Sequence, residues 1–198
     1  MTARLALFGP PGSGKGTQGG SLATRLGIPT ISTGDLFRDQ IGRSTPLGLE
    51  AKGYIVQGLL VPDSVTNAMV DQRLDQPDAA HGFILDGYPR NIDQVGQLDK
   101  MLGQRGWALD ALVELTLPES LIVDRLLKRA TLEGRADDTE PVIRQRIAVY
   151  HQQTAPMLEL YRQRGDLLEV DGVGSIEAVG ERVLAALAAK DGLGGAGQ

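Results

Sequence analysis

Residues 4–17 read Arg-Leu-Ala-Leu-Phe-Gly-Pro-Pro-Gly-Ser-Gly-Lys-Gly-Thr, an apolar run that passes directly into a glycine-rich loop. The run over residues 5–8 has no polar interruption, which is typical of a strand buried on both faces of a parallel sheet. Glycines then let the backbone turn tightly and approach a ligand. The spacing from Gly9 to Lys15 is that of a loop whose N–H groups and lysine bind nucleotide phosphates at a helix N-terminus.

This phosphate-loop pattern departs from the general motif at one position. The general motif has Ser or Thr directly after the lysine, to ligate magnesium. Here that position is Gly16, and Thr17 follows one residue later. A plain glycine-rich turn is the alternative, since the chain has 26 Gly in 198 residues. The strand pattern before the loop and the helix pattern after it favour the phosphate site.

Composition narrows the class of protein. The net charge of −5 argues against bulk binding of nucleic acid. The chain has no Cys, which excludes disulfides, zinc held by cysteine and a thiol nucleophile. A first strand that starts at about Arg4 leaves no room for a signal peptide, and no apolar run approaches the length of a membrane span. We expect a cytoplasmic protein.

Strand and helix patterns alternate along the whole chain. The predicted strands cover residues 5–8, 29–32, 82–85, 111–115 and 167–170. This alternation predicts an α/β fold of the P-loop NTPase type, with a five-stranded parallel sheet and helices on both faces. Ligands of such sheets bind at the carboxyl ends of the strands. We expect one domain over residues 1–190 and a disordered Gly-rich tail over residues 191–198.

Four motifs then follow in order, and together they resemble the adenylate kinases, within the nucleoside monophosphate kinases. They are Gly-Pro-Pro-Gly-Ser-Gly-Lys-Gly-Thr-Gln at 9–18, Ser-Thr-Gly-Asp-Leu-Phe-Arg at 32–38, Asp-Gly-Tyr-Pro-Arg at 86–90 and Gly-Arg-Ala-Asp-Asp at 134–138. The likeness covers residues 5 to about 187, and glycine at position 16 is also what this family shows. It implies a transferase for the reaction Mg·ATP + AMP ⇌ 2 ADP, with no zinc. Because the sequence shows no evident exposed apolar stripe, we expect a monomer.

The resemblance implies a role for each matching residue. The ATP site would comprise Gly12, Ser13, Gly14, Lys15, Gly16, Thr17, Arg125, Arg129 and Gly174. The AMP site would comprise Thr33, Arg38, Leu59, Leu60, Val61, Gly87, Tyr88, Pro89, Arg90, Gln94, Arg135 and Arg146. The catalytic set would be Lys15, Asp86, Arg90, Arg129, Arg135 and Arg146, since guanidinium groups neutralise phosphates that would otherwise repel each other. Mg²⁺ would be held mainly by phosphates and waters, with Asp86 at its water shell and Thr17 as a candidate ligand.

The choice of monophosphate depends on two positions in this family, here Thr33 and Gln94. The related UMP/CMP kinases usually carry Ala and Asn there, so UMP or CMP is the alternative substrate. Gln94 offers both an acceptor and a donor to the Watson–Crick edge of adenine. These two residues favour AMP.

The resemblance also divides the predicted domain into parts. The core would cover residues 1–31, 62–129 and 137–190, with a helical AMP-binding insertion over 32–61 and a short lid over 130–136. An alternative of another class is a nucleotide-dependent switch or binding module. Such a protein would carry a base-reading motif of the Asn-Lys-x-Asp kind, which this sequence lacks.

Overall fold

The strands of the computed structural model form one parallel sheet, and the structure describes residues 3–133 and 139–190. The strands are β1 (Ala3–Phe8), β2 (Thr30–Ser32), β3 (Gly82–Asp86), β4 (Ala111–Thr116) and β5 (Leu167–Asp171). Their order in the sheet is β2-β3-β1-β4-β5, and each neighbouring pair is parallel. The predicted five-stranded parallel sheet is confirmed, with strand bounds that differ from the prediction by one or two residues.

Helices fill the connections between the strands. They are α1 (Lys15–Leu26), α2 (Thr33–Gly42), α3 (Pro46–Ile55), α4 (Asp63–Leu74), α5 (Ile92–Gln104), α6 (Glu119–Glu133), α7 (Glu140–Val149), α8 (Pro156–Arg164) and α9 (Ile176–Ala189). A 3₁₀ turn covers Pro77–His81, and a π-helical turn over Tyr150–Thr154 joins α7 to α8. The predicted stop of the first helix is confirmed, because Gly27 ends α1 with φ 66°.

Side chains of each central strand alternate between two apolar layers, as the pleat of a strand requires. On one face Leu5 and Leu7 pack against α1 and α9. On the other face Ala6 and Phe8 pack against α4, α5 and α8. Both layers are almost completely buried, so the predicted placement of helices on both faces is confirmed.

Three helices connect β2 to β3, and the first two, α2 and α3, pack with the start of α4 around a small apolar cluster of Phe37, Ala51 and Val61. α2 and α3 occupy most of the segment predicted to bind AMP, whose exact bounds stay a prediction.

Further along the chain, α6 runs on to residue 133. The predicted lid therefore begins inside this helix, and its remaining residues lie outside the described ranges, as does the predicted disordered tail.

None of the helices over residues 3–133 and 139–190 has the length and apolar character needed to cross a membrane.

Candidate active site

The loop between β1 and α1 has a backbone that only glycine adopts easily. Gly9 has φ 135°, and a Cβ added there would lie 2.6 Å from the carbonyl oxygen of Leu115. Gly14 has φ 95° and stands at the N-cap of α1 without a side chain to cap it. The first N–H groups of α1 are therefore free of a side-chain cap, which is what an anion at a helix N-terminus requires.

Lys15 folds back over this loop. Its Nζ donates hydrogen bonds to the carbonyl oxygens of Gly9 at 2.8 Å and Pro10 at 2.9 Å, and to Ser13 Oγ at 3.3 Å. These contacts hold the ammonium group above the loop, where it can exchange carbonyl partners for phosphate oxygens. The structure thus places the predicted phosphate-binding lysine at the carboxyl end of β1.

A second group of polar side chains follows β2 and β3. The carbonyl oxygen of Gly87 accepts hydrogen bonds from Thr33 Oγ1 at 3.0 Å and from Arg90 Nε at 2.8 Å. Gly87 has φ 80°, and a Cβ there would lie 2.8 Å from Thr33 Oγ1 and 2.8 Å from Arg90 Nη2. Only glycine leaves room for both side chains to reach this carbonyl oxygen, so this turn sets the position of Arg90.

Gln94 is held at both ends of its side chain. Its Oε1 accepts from the backbone N–H of Arg90 at 2.7 Å, and its Nε2 donates to Asp63 Oδ1 at 2.6 Å. The side chain is almost fully buried, with 2% of the residue exposed. One lone pair of its oxygen and one hydrogen of its nitrogen are thus engaged, which leaves one acceptor and one donor position of the amide for a base.

The cations of the site act on one another. Burial lowers the pKa of Lys15 to about 7, the nearby carboxylate of Asp86 opposes this shift, and the charges of Arg90, Arg146 and Arg129 add to it. Burial likewise lowers the pKa of Arg90, as do the charges of Arg146 and Arg38, while Asp86 raises it. This mutual repulsion shows that cations from both sides of the cleft converge, and an anion placed among them would relieve it.

Asp86 is the acid at the centre of this cluster. It ends β3, and a Cβ added at Gly16 would lie 3.5 Å from Asp86 Oδ2. A carboxylate beside the phosphate loop, with the hydroxyl of Thr17 in the same cleft, provides the oxygen donors that Mg²⁺ prefers. Within the described residues no group of three or more acids or histidines gathers as a metal cage. These residues fit Mg²⁺ that is bound chiefly through a nucleotide and its waters.

One cleft of about 880 Å³ brings the predicted residues together. Its lining includes the phosphate loop, Thr33, Arg38, Leu59, Leu60, Val61, Asp86, Gly87, Pro89, Arg90, Gln94, Arg125, Arg129, Arg146 and Gly174. Tyr88 does not line the cleft, since its side chain is buried and its hydroxyl donates to Asn67 Oδ1 at 2.7 Å. Arg135 lies outside the described residues.

The far end of this cleft is built from α6 and the turn after β5. Arg125 Nη2 donates to the carbonyl oxygen of Gly172 at 3.3 Å. Gly174, with φ 131°, lines the cleft beside Ile176. Arg129 lies one helical turn after Arg125 and faces the same cleft. A flat guanidinium and exposed main chain are suited to a planar base.

Asp63 and Asn91 are two polar residues that bond to Gln94 and that the sequence did not single out. Asn91 Nδ2 donates to Asp63 Oδ1 and Oδ2, both at 3.0 Å. The signals for them were an acid after Pro62 and an Asn before a helix. Both signals also mark ordinary helix starts, so they carry no functional information by themselves.

Comparison with known proteins agrees with this geometry. The family model "Adenylate kinase" matches residues 7–166. The chain belongs to the adenylate kinase family. An adenylate kinase of Micrococcus luteus is 54% identical over 93% of this chain and 90% of its own length. Adenylate kinases of Mycolicibacterium smegmatis and Xylella fastidiosa are 55% and 50% identical, each over 93% of this chain and 98% of their own.

Membership of the adenylate kinase family makes the chain a phosphotransferase that binds nucleotides. It confirms the resemblance seen in the sequence motifs. These relatives match the chain over 90% and 98% of their own length. The assignment of individual residues to ATP and to AMP is a separate question, which the cleft geometry addresses.

Proposed function

We propose that this chain transfers the terminal phosphoryl group of ATP to AMP, reversibly, to give two ADP, and so balances the adenine nucleotides. The observation that carries this proposal is the convergence of cations from both sides of one cleft. Lys15 and Arg129 stand on the side of the phosphate loop, Arg38 and Arg90 stand on the side of β2 and β3, and Arg146 acts on the pKa of both Lys15 and Arg90. One phosphate site would not need cations on two sides.

The chemistry asks the protein to position two anions rather than to supply a nucleophile. An oxygen of the AMP phosphate attacks the terminal phosphorus of ATP, the bond to the bridging oxygen breaks, and ADP leaves with that oxygen. In this proposal the N–H groups of residues 12–17 and Lys15 bind the ATP phosphates. Arg129 also binds the ATP phosphates, Arg38 and Arg90 bind the AMP phosphate, and Arg146 neutralises the group in transfer.

Mg²⁺, when bound with ATP, would neutralise phosphate charge and orient the terminal group. Asp86 would hold its water shell, and Thr17 is a candidate ligand. At the ends of the cleft, Arg125 and the main chain near Gly174 would receive the ATP base. Thr33, Gln94 and the main chain of residues 59–61 would receive the AMP base. Arg135 belongs to the proposed set by sequence alone.

A monomer is the proposed working unit, because one chain supplies both sides of the cleft. Light scattering of the eluting protein in size-exclusion chromatography would test this. The cytoplasmic location stays a prediction, as do the bounds of the AMP-binding insertion and the lid.

The direct test is an acceptor panel. Purified protein is given Mg·ATP with AMP, UMP, CMP or GMP separately, or with no acceptor, and ADP formation is followed. Among the acceptors, we expect fast turnover only with AMP. A Lys15→Met protein purified in parallel controls for a co-purifying kinase. A preference for UMP or CMP would overturn the adenine assignment, and ATP hydrolysis without dependence on an acceptor would overturn the transfer reaction.

A further inference from the structure

Asp63 lies where the N-termini of two helices meet. It is the first residue of α4, and Asn91, the N-cap of α5, contacts it across the gap. The carboxylate of Asp63 accepts two hydrogen bonds from Asn91 Nδ2, both at 3.0 Å, and one from Gln94 Nε2 at 2.6 Å. Positive potential at both helix ends favours an anion at this point.

This network admits only one orientation of the Gln94 amide. A carboxylate only accepts hydrogen bonds, so the atom of Gln94 that faces Asp63 must be the nitrogen. A peptide N–H only donates, so the atom that faces the N–H of Arg90 must be the oxygen. The two contacts come from different elements and impose the same orientation.

Asn91 is fixed in the same way. Its Oδ1 accepts from the backbone N–H of Gln94 at 2.8 Å, which leaves its Nδ2 to face Asp63. Every member of the network therefore has a defined donor or acceptor role. Because Gln94 is almost fully buried, turning its amide over would leave two mismatched pairs away from water.

The orientation decides what Gln94 presents to the cleft that it lines. Its nitrogen carries a second hydrogen beyond the one given to Asp63, and its oxygen has a second lone pair beyond the one that accepts from the N–H of Arg90. With the amide held in this orientation, a base seated against the nitrogen meets a donor and must offer an acceptor. Adenine has an unprotonated ring nitrogen at N1, whereas hypoxanthine and guanine carry N1–H and uracil carries N3–H.

We propose that Asp63 is a positioning residue for base specificity, which holds Gln94 as a hydrogen-bond donor toward N1 of the acceptor nucleotide. This inference rests on the proposed function, in which Gln94 faces the AMP base. It goes beyond that function by naming the group that sets the polarity of the contact. Cytosine also has an unprotonated ring nitrogen, so its rejection must come from another feature of the site.

The test compares AMP with 1-deaza-AMP, in which N1 is replaced by C–H, as acceptors. We expect kcat/KM of the natural chain to be roughly 10-fold or more lower for 1-deaza-AMP, because a buried donor loses its partner. In Asp63→Ala the ratio of kcat/KM for AMP to kcat/KM for 1-deaza-AMP should fall toward roughly 1 to 3, since the Gln94 amide is no longer held. For IMP, which has N1–H, kcat/KM relative to that for AMP should likewise rise in this variant.

Two further variants make the test specific. Asp63→Asn keeps an oxygen for Gln94, so its ratio should lie between those of the natural chain and Asp63→Ala. It also carries the test if the alanine variant does not give a cooperative melting curve. Asp93→Ala removes an exposed carboxylate from the first turn of the same helix, and it should keep the natural ratio.

An Asp63→Ala variant that loses activity equally with AMP and 1-deaza-AMP would overturn the proposal, because the carboxylate would then act on folding alone. Equal use of both acceptors by the natural chain would also overturn it. In either case AMP would remain a substrate and the proposed function would stand. Failure of the proposed function itself would show separately, as absence of turnover with AMP in the acceptor panel.

Discussion

The two sides of the cleft are built in different ways. On the side of the phosphate loop, the main chain and one lysine form the surface, and Lys15 bonds to carbonyl oxygens of its own loop. On the opposite side, side chains from three elements interlock around Gly87, so that Thr33 and Arg90 share one carbonyl oxygen and Gln94 is held at both ends.

Under the proposed function, this difference follows from what each side would have to distinguish. A phosphate chain presents the same oxygens in every nucleoside triphosphate, and rows of N–H groups with a cation suffice to bind it. A base is told from another base by the positions of a few donors and acceptors, which requires side chains of fixed polarity. Changes in the loop should therefore affect catalysis with any acceptor, whereas changes on the opposite side should affect one substrate.

The largest expected effect is that of Lys15→Met on the loop side. At saturating ATP and AMP, kcat should fall by roughly 100- to 1,000-fold, because a charge beside the transferring phosphates is lost. The readout is ADP formation in a coupled assay. Lys100→Met, which alters an exposed lysine of α5, is the matched control. Turnover near the natural value would remove Lys15 from the proposed role.

Arg90→Ala should give a smaller effect that is confined to one substrate. We expect the KM for AMP to rise roughly 30-fold with little change in the KM for ATP, because a charge-assisted contact with one phosphate is lost. Initial rates with each substrate varied in turn measure this. Arg43→Ala, an exposed arginine paired with Asp39, is the control. An equal rise in both constants would contradict the division into two sides.

Proton uptake should give the smallest signal, and only on the loop side. Since burial lowers the pKa of Lys15 to about 7, the Lys15 amine is neutral in most molecules of the free protein at pH 8. Phosphates favour the ammonium form, so binding of Mg·ATP at pH 8 should take up a proton, and less so at pH 6. Titration calorimetry measures this uptake, because the observed binding enthalpy then depends on the ionisation enthalpy of the buffer. Uptake that persists in Lys15→Met would assign it to another group.

The same shift has a definite sign for stability. The unfolded chain keeps the Lys15 proton up to its ordinary pKa of 10.5, whereas the folded chain releases it near 7. The unfolded state therefore binds more protons between these values, and this group makes the folded state more stable as pH rises across that window. Lys15→Met should remove this part of the pH dependence of the melting temperature.

Sequence patterns predicted the sheet because buried parallel strands are continuous apolar runs, as residues 5–8 and 82–85 illustrate. They predicted less well where a local signal has two meanings. α6 continues to residue 133, since Ala-Thr-Leu-Glu is an ordinary helical sequence, so the lid predicted over residues 130–136 would begin within this helix, and its bounds stay a prediction. Tyr88 belongs to a matching motif, but its side chain packs into the core instead of lining the cleft.

By itself, the sequence determined the phosphate loop, because positive φ at Gly14 and a helix start at Lys15 are properties of a few neighbouring residues. Tertiary structure alone decided the polarity of the opposite side. Asp63 and Gln94 lie 31 residues apart and meet only because α4 and α5 pack with their N-termini together. Local sequence can specify the conformation of a turn, but which donor meets which acceptor across two helices depends on how the whole chain packs.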